Sequence, residues 1–131
     1  MKAIRLTPDD WIVAALGQNP DRKMLDDARN PMEAILWQQG LRALELGINV
    51  IQDFGVWGKD ERERFRAEAS KVGASTEIRY MDVPLDELLA RLNHRNANLP
   101  SGDFPIDSEQ LRRNAALFQA PTPDECSVRL P

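Results

Sequence analysis

The chain has 131 residues, of which 42% are hydrophobic, and a formal net charge of −4. It is long enough to bury one core, and it lacks the overall basic charge that non-specific nucleic-acid binding requires. No apolar run approaches the roughly 18 residues of a membrane-spanning helix, and the first residues lack the apolar core of a signal peptide, so we expect a cytoplasmic protein without a membrane partner. Cys126 is the only cysteine, which excludes an intrachain disulfide.

Hydrophobic spacing in the first half of the chain predicts strands and helices in alternation. Thr7 and Pro8 mark the start of the first helix, because both residue types are favoured at a helix N-terminus. The polar residues 17–30 are predicted to form a surface loop or a short helix. The predicted elements are a strand over residues 3–6, a helix that ends at Gly17, a helix over residues 31–46 and a strand over residues 48–52.

The second half continues this alternation. Residues 59–72 form a strongly charged segment with helical spacing, and Pro84 precedes a helix with one leucine-rich face. The end of the chain from residue 120 is rich in proline and is predicted to be extended or disordered. The predicted elements are a helix over residues 59–72, a strand over residues 77–81, a helix that opens at Pro84 and a helix over residues 108–118.

This order of elements predicts the fold class. Strands that alternate with helices indicate an α/β protein with a three-layer arrangement, in which helices cover both faces of a parallel sheet. Ligands of such folds bind at the C-terminal edge of the strands. We predict one domain over residues 1–119 and a Pro-rich C-terminal tail over residues 120–131.

Carboxylates follow both predicted strands of the first half. Asp9 and Asp10 come shortly after the first strand, where a carboxylate could accept the proton of an acceptor hydroxyl. Asp53 ends the second strand, where it could contact an acceptor or orient a magnesium-bound water. The alternative for all three is helix capping, for which aspartate is favoured. Asp9 and Asp53 are the candidate catalytic carboxylates.

Arg91 and Arg95 lie four residues apart near the end of a predicted helix, so both can project from one face. Two guanidinium groups there could neutralise the charge that develops on a transferred phosphoryl group. The alternative is that they are solvated charges that stabilise the C-terminal end of the helix. His94 lies between them without a Cys or His partner at metal-ligand spacing, and we predict no metal site.

A phosphate-binding loop of the form G-x-x-x-x-G-K-[ST] is not present in the sequence. The nearest approach is Gly55-Val-Trp-Gly58-Lys59, in which two residues separate the glycines and Asp60 follows the lysine. Acidic residues there would repel phosphate, so this segment is predicted to be a turn between a strand and a helix.

Several short motifs together resemble the P-loop kinase-like ATP-binding proteins, an AAA-type group that includes zeta toxin, chloramphenicol phosphotransferase and polynucleotide kinase. The resemblance covers nearly the whole chain. It rests on Asp9-Asp10-Trp11, Val50-Ile-Gln-Asp53-Phe54-Gly-Val-Trp57, Tyr80-Met-Asp-Val-Pro84, Arg91-Leu-Asn-His-Arg95-Asn96, Phe104-Pro-Ile106 and residues 118–123.

The resemblance implies ATP-dependent phosphorylation of a hydroxyl group, with ATP and Mg²⁺ as cofactors. It implies that Asp9 is the general base, that Asp53 lies near the acceptor, and that Arg91 and Arg95 bind phosphate as lid residues. In polynucleotide kinase a similar triplet precedes an arginine, whereas Ile12 follows it here, which disfavours a nucleic-acid acceptor.

Members of this group begin with a strand, the phosphate-binding loop and a helix, and this βα unit is missing from the sequence. We therefore hypothesise a truncated kinase that is inactive as a lone chain, either because of a misassigned start, gene decay or a fragment. The alternatives are a non-catalytic module that forms homo-oligomers or binds partners through an exposed sheet edge, and a phosphotransferase whose loop comes from another chain. The acceptor stays open.

Overall fold

The computed structural model describes residues 2–17, 21–101, 103–125 and 127–130, with the backbone alone for residues 127–129. Cys126 lies outside the described residues. The helices and strands, in chain order, are β1 (Ala3–Leu6), α1 (Pro8–Leu16), α2 (Arg22–Glu45), β2 (Asn49–Gln52), α3 (Lys59–Lys71), β3 (Ile78–Met81), α4 (Leu85–Ala97), α5 (Ser108–Leu117), a 3₁₀ turn (Pro123–Glu125) and β4 (Ser127–Leu130).

The chain divides into two compact units, and the mixed α/β composition agrees with the predicted fold class. Each unit contains a two-stranded parallel sheet, β1 with β2 and β3 with β4. The three-layer arrangement stays a prediction. Unit 1 comprises Met1–Gly55, Lys71–Ala74 and Ser101–Asp103, and unit 2 comprises Val56–Ser70, Ser75–Pro100 and Phe104–Pro131.

In unit 1 the two strands pair in register from Ala3 opposite Asn49 to Leu6 opposite Gln52. The backbone N–H of Asp53 donates to the Leu6 carbonyl at 3.0 Å, which extends the pairing by one residue. The C-terminal ends of β1 and β2 therefore lie side by side, as expected for parallel neighbours.

Gly40 brings helix α2 close to this sheet. A Cβ atom at Gly40 would lie 2.9 Å from Leu6 Cδ1 and 3.5 Å from Val50 Cγ1, so a side chain there would collide with the strands. Leu6, Leu36 and Trp37 are buried around this contact. Burial of large apolar side chains is the main stabilising contribution available to a domain of this size.

Helix α2 is longer than the sequence predicts. The prediction that a helix begins at Pro31 is wrong, because the helix already begins at Arg22 and Pro31 lies inside it. The Asp21 side chain accepts a hydrogen bond from Met24 N at 2.8 Å and so caps the true N-terminus. An ion pair of Arg22 with Asp26 at 3.1 Å supports the first turn. These contacts stabilise the helix on the N-terminal side of the proline.

In unit 2, β3 and β4 pair from Ile78 opposite Ser127 to Met81 opposite Leu130. The ring centroids of Tyr80 in β3 and Phe118 are 5.5 Å apart. Phe65 of α3 and Leu92 of α4 are buried. Strand β4 was not predicted from the sequence.

The C-terminal residues are more ordered than the sequence predicts. The chain forms a 3₁₀ turn at Pro123–Glu125, which was not predicted, and then the extended strand β4. Glu125 is fully buried, and Arg62 of α3 binds its carboxylate and so compensates the buried charge. The predicted domain boundary between residues 119 and 120 stays a prediction. Among the described residues, no helix has both the length and the apolar character of a membrane span.

Candidate functional site

Asp53 lies at the C-terminal edge of β2, where the sequence predicted a functional carboxylate. Its Oδ2 is 2.8 Å from Nε of Arg5, and both side chains are about half exposed. The same Nε of Arg5 is 2.9 Å from the hydroxyl oxygen of Thr7. Arg5 therefore reaches across the sheet edge from β1 and orients Asp53. The sequence analysis did not identify Arg5, because an arginine in a short strand has no special spacing.

Asp9 lies in the first turn of α1, directly beyond the end of β1. Its Oδ1 is 3.3 Å from Nη2 of Arg29 in α2. The Thr7 side chain makes no capping hydrogen bond to this helix, so Asp9 and Asp10 are the negative groups at its N-terminus. Helix capping and catalysis are both compatible with this position, and the assignment of Asp9 as a base stays a prediction.

Two buried side-chain polar atoms lack a hydrogen-bond partner among the described residues, and both lie at this edge of unit 1. They are Oδ1 of Asp9 and Nε2 of Gln52. The contact of Asp9 with Arg29 is therefore an ion pair without hydrogen-bond geometry. Leaving such groups unpaired costs roughly 1–3 kcal/mol each, so each requires an explanation.

Gln52 is the last residue of β2, and Asp9 lies in the first turn of α1, which follows β1. In register, Gln52 is opposite Leu6, and paired residues of neighbouring strands share a face of the sheet. Leu6 contacts the position of Gly40 in α2, and Asp9 pairs with Arg29 of the same helix. Nε2 of Gln52 is a donor and the carboxylate oxygen of Asp9 is an acceptor, and a hydroxyl group can bind either type of atom because it both donates and accepts.

Arg91 and Arg95 lie on α4 in unit 2, whereas Asp9 and Asp53 belong to unit 1. Arg91 forms an exposed ion pair with Glu87 one helical turn earlier. Arg95 Nη2 donates to the carbonyl of Phe104 at 3.0 Å and so supports the loop before α5. The predicted role of these arginines as phosphate-binding lid residues stays a prediction.

The first backbone N–H of α3 already has a partner. The backbone N–H of Lys59 donates to Oε1 of Gln119 at 2.7 Å, and the Lys59 ammonium pairs with Asp124 at 3.4 Å. Residues 55–58 lie between β2, which ends at Gln52, and α3, which begins at Lys59, as the sequence predicts. This connection, called the turn below, contains no hydrogen-bonded β-turn.

Arg62 and Glu125 form a buried ion pair that the sequence analysis missed. Nε and Nη2 of Arg62 bind Oε1 and Oε2 of Glu125 at 2.8 and 3.2 Å, and the side chains are 4% and 0% exposed. The hydrogen bond from Arg62 lowers the pKa of Glu125 from its usual 4.5 to about 2, with help from Thr122 and against the effect of burial. A hydrogen bond from Thr122 and the charge of Lys59 lower the pKa of Asp124.

The described residues do not fit ATP and Mg²⁺ by themselves. They contain no group of three or more side chains that could hold a metal ion, and Asp53 is already paired with Arg5. Residues 55–58, which are flanked by glycines, precede α3, and the first N–H of this helix, that of Lys59, already donates to Gln119. A nucleotide would therefore need phosphate-binding groups that these residues do not provide.

Comparison with known proteins gives one match. A family model described as an AAA domain matches residues 1–121, which is most of the chain. No curated protein matches the sequence, and no solved structure matches it.

Proposed function

Because the chain belongs to this AAA-domain family of P-loop kinase-like, nucleotide-binding proteins, we propose that it is the acceptor-binding part of an ATP-dependent phosphotransferase. The proposed reaction transfers the γ-phosphoryl group of ATP to a hydroxyl acceptor. ATP and Mg²⁺ supply the phosphoryl group and the neutralising charge, and this chain supplies the groups that bind and deprotonate the acceptor. The three-layer parallel sheet and a cytoplasmic location are part of the same proposal.

The observation that carries this proposal is that two buried polar atoms of unit 1, Oδ1 of Asp9 and Nε2 of Gln52, make no hydrogen bond. In the proposal a hydroxyl donates to Oδ1 of Asp9, which already has an ion pair with Arg29, and accepts from Nε2 of Gln52. Asp9 then accepts the hydroxyl proton as the hydroxyl oxygen attacks phosphorus. Arg29 keeps the carboxylate in place through its ion pair.

Asp53 and the arginines of α4 have secondary roles in the proposal. Asp53, oriented by Arg5 at 2.8 Å, contacts a second polar group of the acceptor. Arg91 and Arg95 bind phosphate oxygens as lid residues. The ion pair of Arg91 with Glu87 is exposed, and exposed ion pairs contribute only about 0–1 kcal/mol to stability. Arg91 can therefore exchange Glu87 for a phosphate group at little cost.

Phosphoryl transfer also needs a phosphate-binding loop, and the 131 residues contain none. We therefore propose that these residues alone, a truncated kinase-like domain, do not catalyse the reaction. The loop is supplied either by further residues of the native polypeptide or by a partner chain. A nucleic-acid acceptor is disfavoured by Ile12 after the Asp9-Asp10-Trp11 triplet.

The test begins with the native protein. Its intact mass and N-terminal sequence, and the proteins that copurify with it, reveal any loop-bearing segment. That loop-bearing form is then assayed for transfer of labelled phosphate from ATP to a panel of hydroxyl compounds. Asp9→Asn should lower kcat by roughly 10²- to 10⁴-fold with little change in the KM for ATP.

Asp10→Asn is the matched control, because Asp10 is the exposed neighbour in the same helical turn. It should keep kcat near the wild-type value. An unchanged turnover in Asp9→Asn would remove Asp9 from the role of base. Absence of transfer to any acceptor by a loop-bearing form would contradict the proposed reaction.

A second candidate function is a non-catalytic module that forms homo-oligomers. It is favoured by the two-stranded sheets, whose strands leave edges for pairing with another chain. Ile51 of β2 and Met81 of β3 are 45% and 62% exposed, so strand addition would cover apolar surface. Size-exclusion chromatography with light scattering decides this candidate, because a stable monomer at high concentration would contradict it.

A further inference from the structure

The turn before α3 is held partly by Arg62 of α3 and partly by residues from the far end of the sequence. The carbonyl of Trp57 accepts from Gln119 N at 2.9 Å and from Nη1 of Arg62 at 3.2 Å. The carbonyl of Val56 accepts from the same Nη1 at 3.2 Å. Gly58 has no side chain that could cap the helix, and Oε1 of Gln119 takes that role by accepting from Lys59 N. Residues 119–125, here called the strap, therefore complete the hydrogen bonds of this turn.

The strap is folded so that its carboxylate points inward. Glu125 N donates to the Thr122 carbonyl at 3.0 Å, and Thr122 N donates back to Oε2 of Glu125 at 2.8 Å. This reciprocal pair forms the 3₁₀ turn and presents both carboxylate oxygens of Glu125 to Arg62. Each oxygen of Glu125 and each hydrogen-bonding nitrogen of Arg62 is thereby used, as a buried ion pair requires.

Two ion pairs attach the strap to α3. Asp124 is exposed and pairs with Lys59 at 3.4 Å, and Glu125 is the buried anchor. A buried ion pair adds little net stability compared with an apolar core, but it permits only one arrangement of the groups around it.

We propose that the strap is a conformational device that opens and closes as a unit, and that its closed state fixes the turn at residues 56–58. This turn lies three residues beyond Asp53 in the sequence. With the strap closed, Trp57 and the first turn of α3 are held in one conformation. With the strap open, Trp57 and Lys59 lose their two backbone hydrogen bonds to Gln119, and Arg62 loses its partner Glu125. The inference does not depend on the proposed reaction.

Amide hydrogen exchange of the whole chain, followed by mass spectrometry, tests this inference. Glu125→Gln should raise the exchange rate of residues 56–62 by about tenfold or more, because it weakens a charge-assisted hydrogen-bond pair. Gln119→Ala, which leaves Arg62 and Glu125 intact, should raise the rate by about threefold. Glu109→Gln, at an exposed position of α5, is the control and should leave the rate unchanged. Exchange in α4 should stay at the wild-type rate in every variant.

Two results would overturn the inference. One is an unchanged exchange rate at residues 56–62 in Glu125→Gln. The other is an equal rise at residues 56–62 and in α4, which would mean that the ion pair is part of a single cooperative core. If Glu125→Gln does not fold, Gln119→Ala decides: a rise confined to residues 56–62 supports the strap, and no rise contradicts it.

Discussion

Unit 1 and unit 2 are stabilised in different ways. In unit 1 a long helix packs on a parallel strand pair through Gly40, and the ion pairs of Asp9 and Asp53 are partly exposed. In unit 2 a buried ion pair joins residues 62 and 125. Unit 1 keeps unpartnered polar atoms at its sheet edge, whereas unit 2 uses its buried charges fully. The buried pair of unit 2 fixes one arrangement of the chain around it, and the acceptor-binding groups that we propose lie in unit 1.

The largest effect is expected from breaking the buried pair of unit 2. Glu125→Met or Arg62→Met alone should lower the free energy of unfolding by about 3–5 kcal/mol, because either change leaves an unpaired buried charge. The double variant should cost less than either single variant. Urea unfolding of all three measures this.

The exposed pair of Glu109 and Arg113 on α5 gives the control cycle. Replacing both by Met should change stability by less than about 1 kcal/mol. Simple addition of the two single effects in the Arg62 and Glu125 double variant would contradict the assignment of a coupled pair.

The same pair predicts an acid-dependent loss of stability. The pKa of Glu125 is about 2 in the folded chain, below its usual 4.5. The stabilisation from this pair is therefore complete above pH 4.5 and is lost as the pH falls towards 2. Urea unfolding as a function of pH measures the loss. The Arg62→Met, Glu125→Met double variant should lack this component, and equal slopes for wild type and double variant would contradict it.

A side chain at Gly40 should affect unit 1 instead. Gly40→Val places atoms against Leu6 and Val50 and should cost about 1–3 kcal/mol through overpacking. Ala34→Val, at an exposed position of the same helix, measures the effect of a valine in this helix without a close approach to the strands. Exchange protection should fall in β1 and β2. Equal effects of the two variants would show that the close approach at Gly40 is unimportant.

The smallest expected effect is a gain in stability at the binding edge. Gln52→Met removes a buried amide nitrogen without a partner and should raise the free energy of unfolding by about 1 kcal/mol. Gln38→Met, at an exposed position of α2, should be neutral. Thermal unfolding measures both. A loss of stability in Gln52→Met would mean that this amide serves the folded structure and not a ligand.

The elements that periodicity predicted best are those with local causes. Strand β1 covers the predicted residues, and α1 ends at the predicted Gly17, which has a positive φ of 86°. The start of α2 was missed because Pro31 resembles a first-turn proline, whereas the capping Asp21 lies ten residues earlier. A proline in a helix interior costs stability, so Pro31 favours a helix start. Only the charged residues at i and i+4 before it indicate that the helix begins earlier.

The contacts that sequence patterns could not predict are long-range. Arg62 belongs to a segment so charged that it reads as a solvated helix face, and its partner is 63 residues away. Similarly, the carboxylates at positions 9 and 53 were recognised from their places after strands, but Gln52 carries no motif. Its importance follows from the missing partner of one nitrogen atom, which depends on packing.

Titration of the 131-residue chain with Mg–ATP, followed by calorimetry, tests the central claim most directly. The claim is that these residues hold the acceptor-binding groups and that the phosphate-binding groups are supplied from elsewhere. The account predicts no saturable binding of Mg–ATP up to about 1 mM. Saturable binding with a micromolar Kd would contradict it, because these residues would then bind the nucleotide without a phosphate-binding loop.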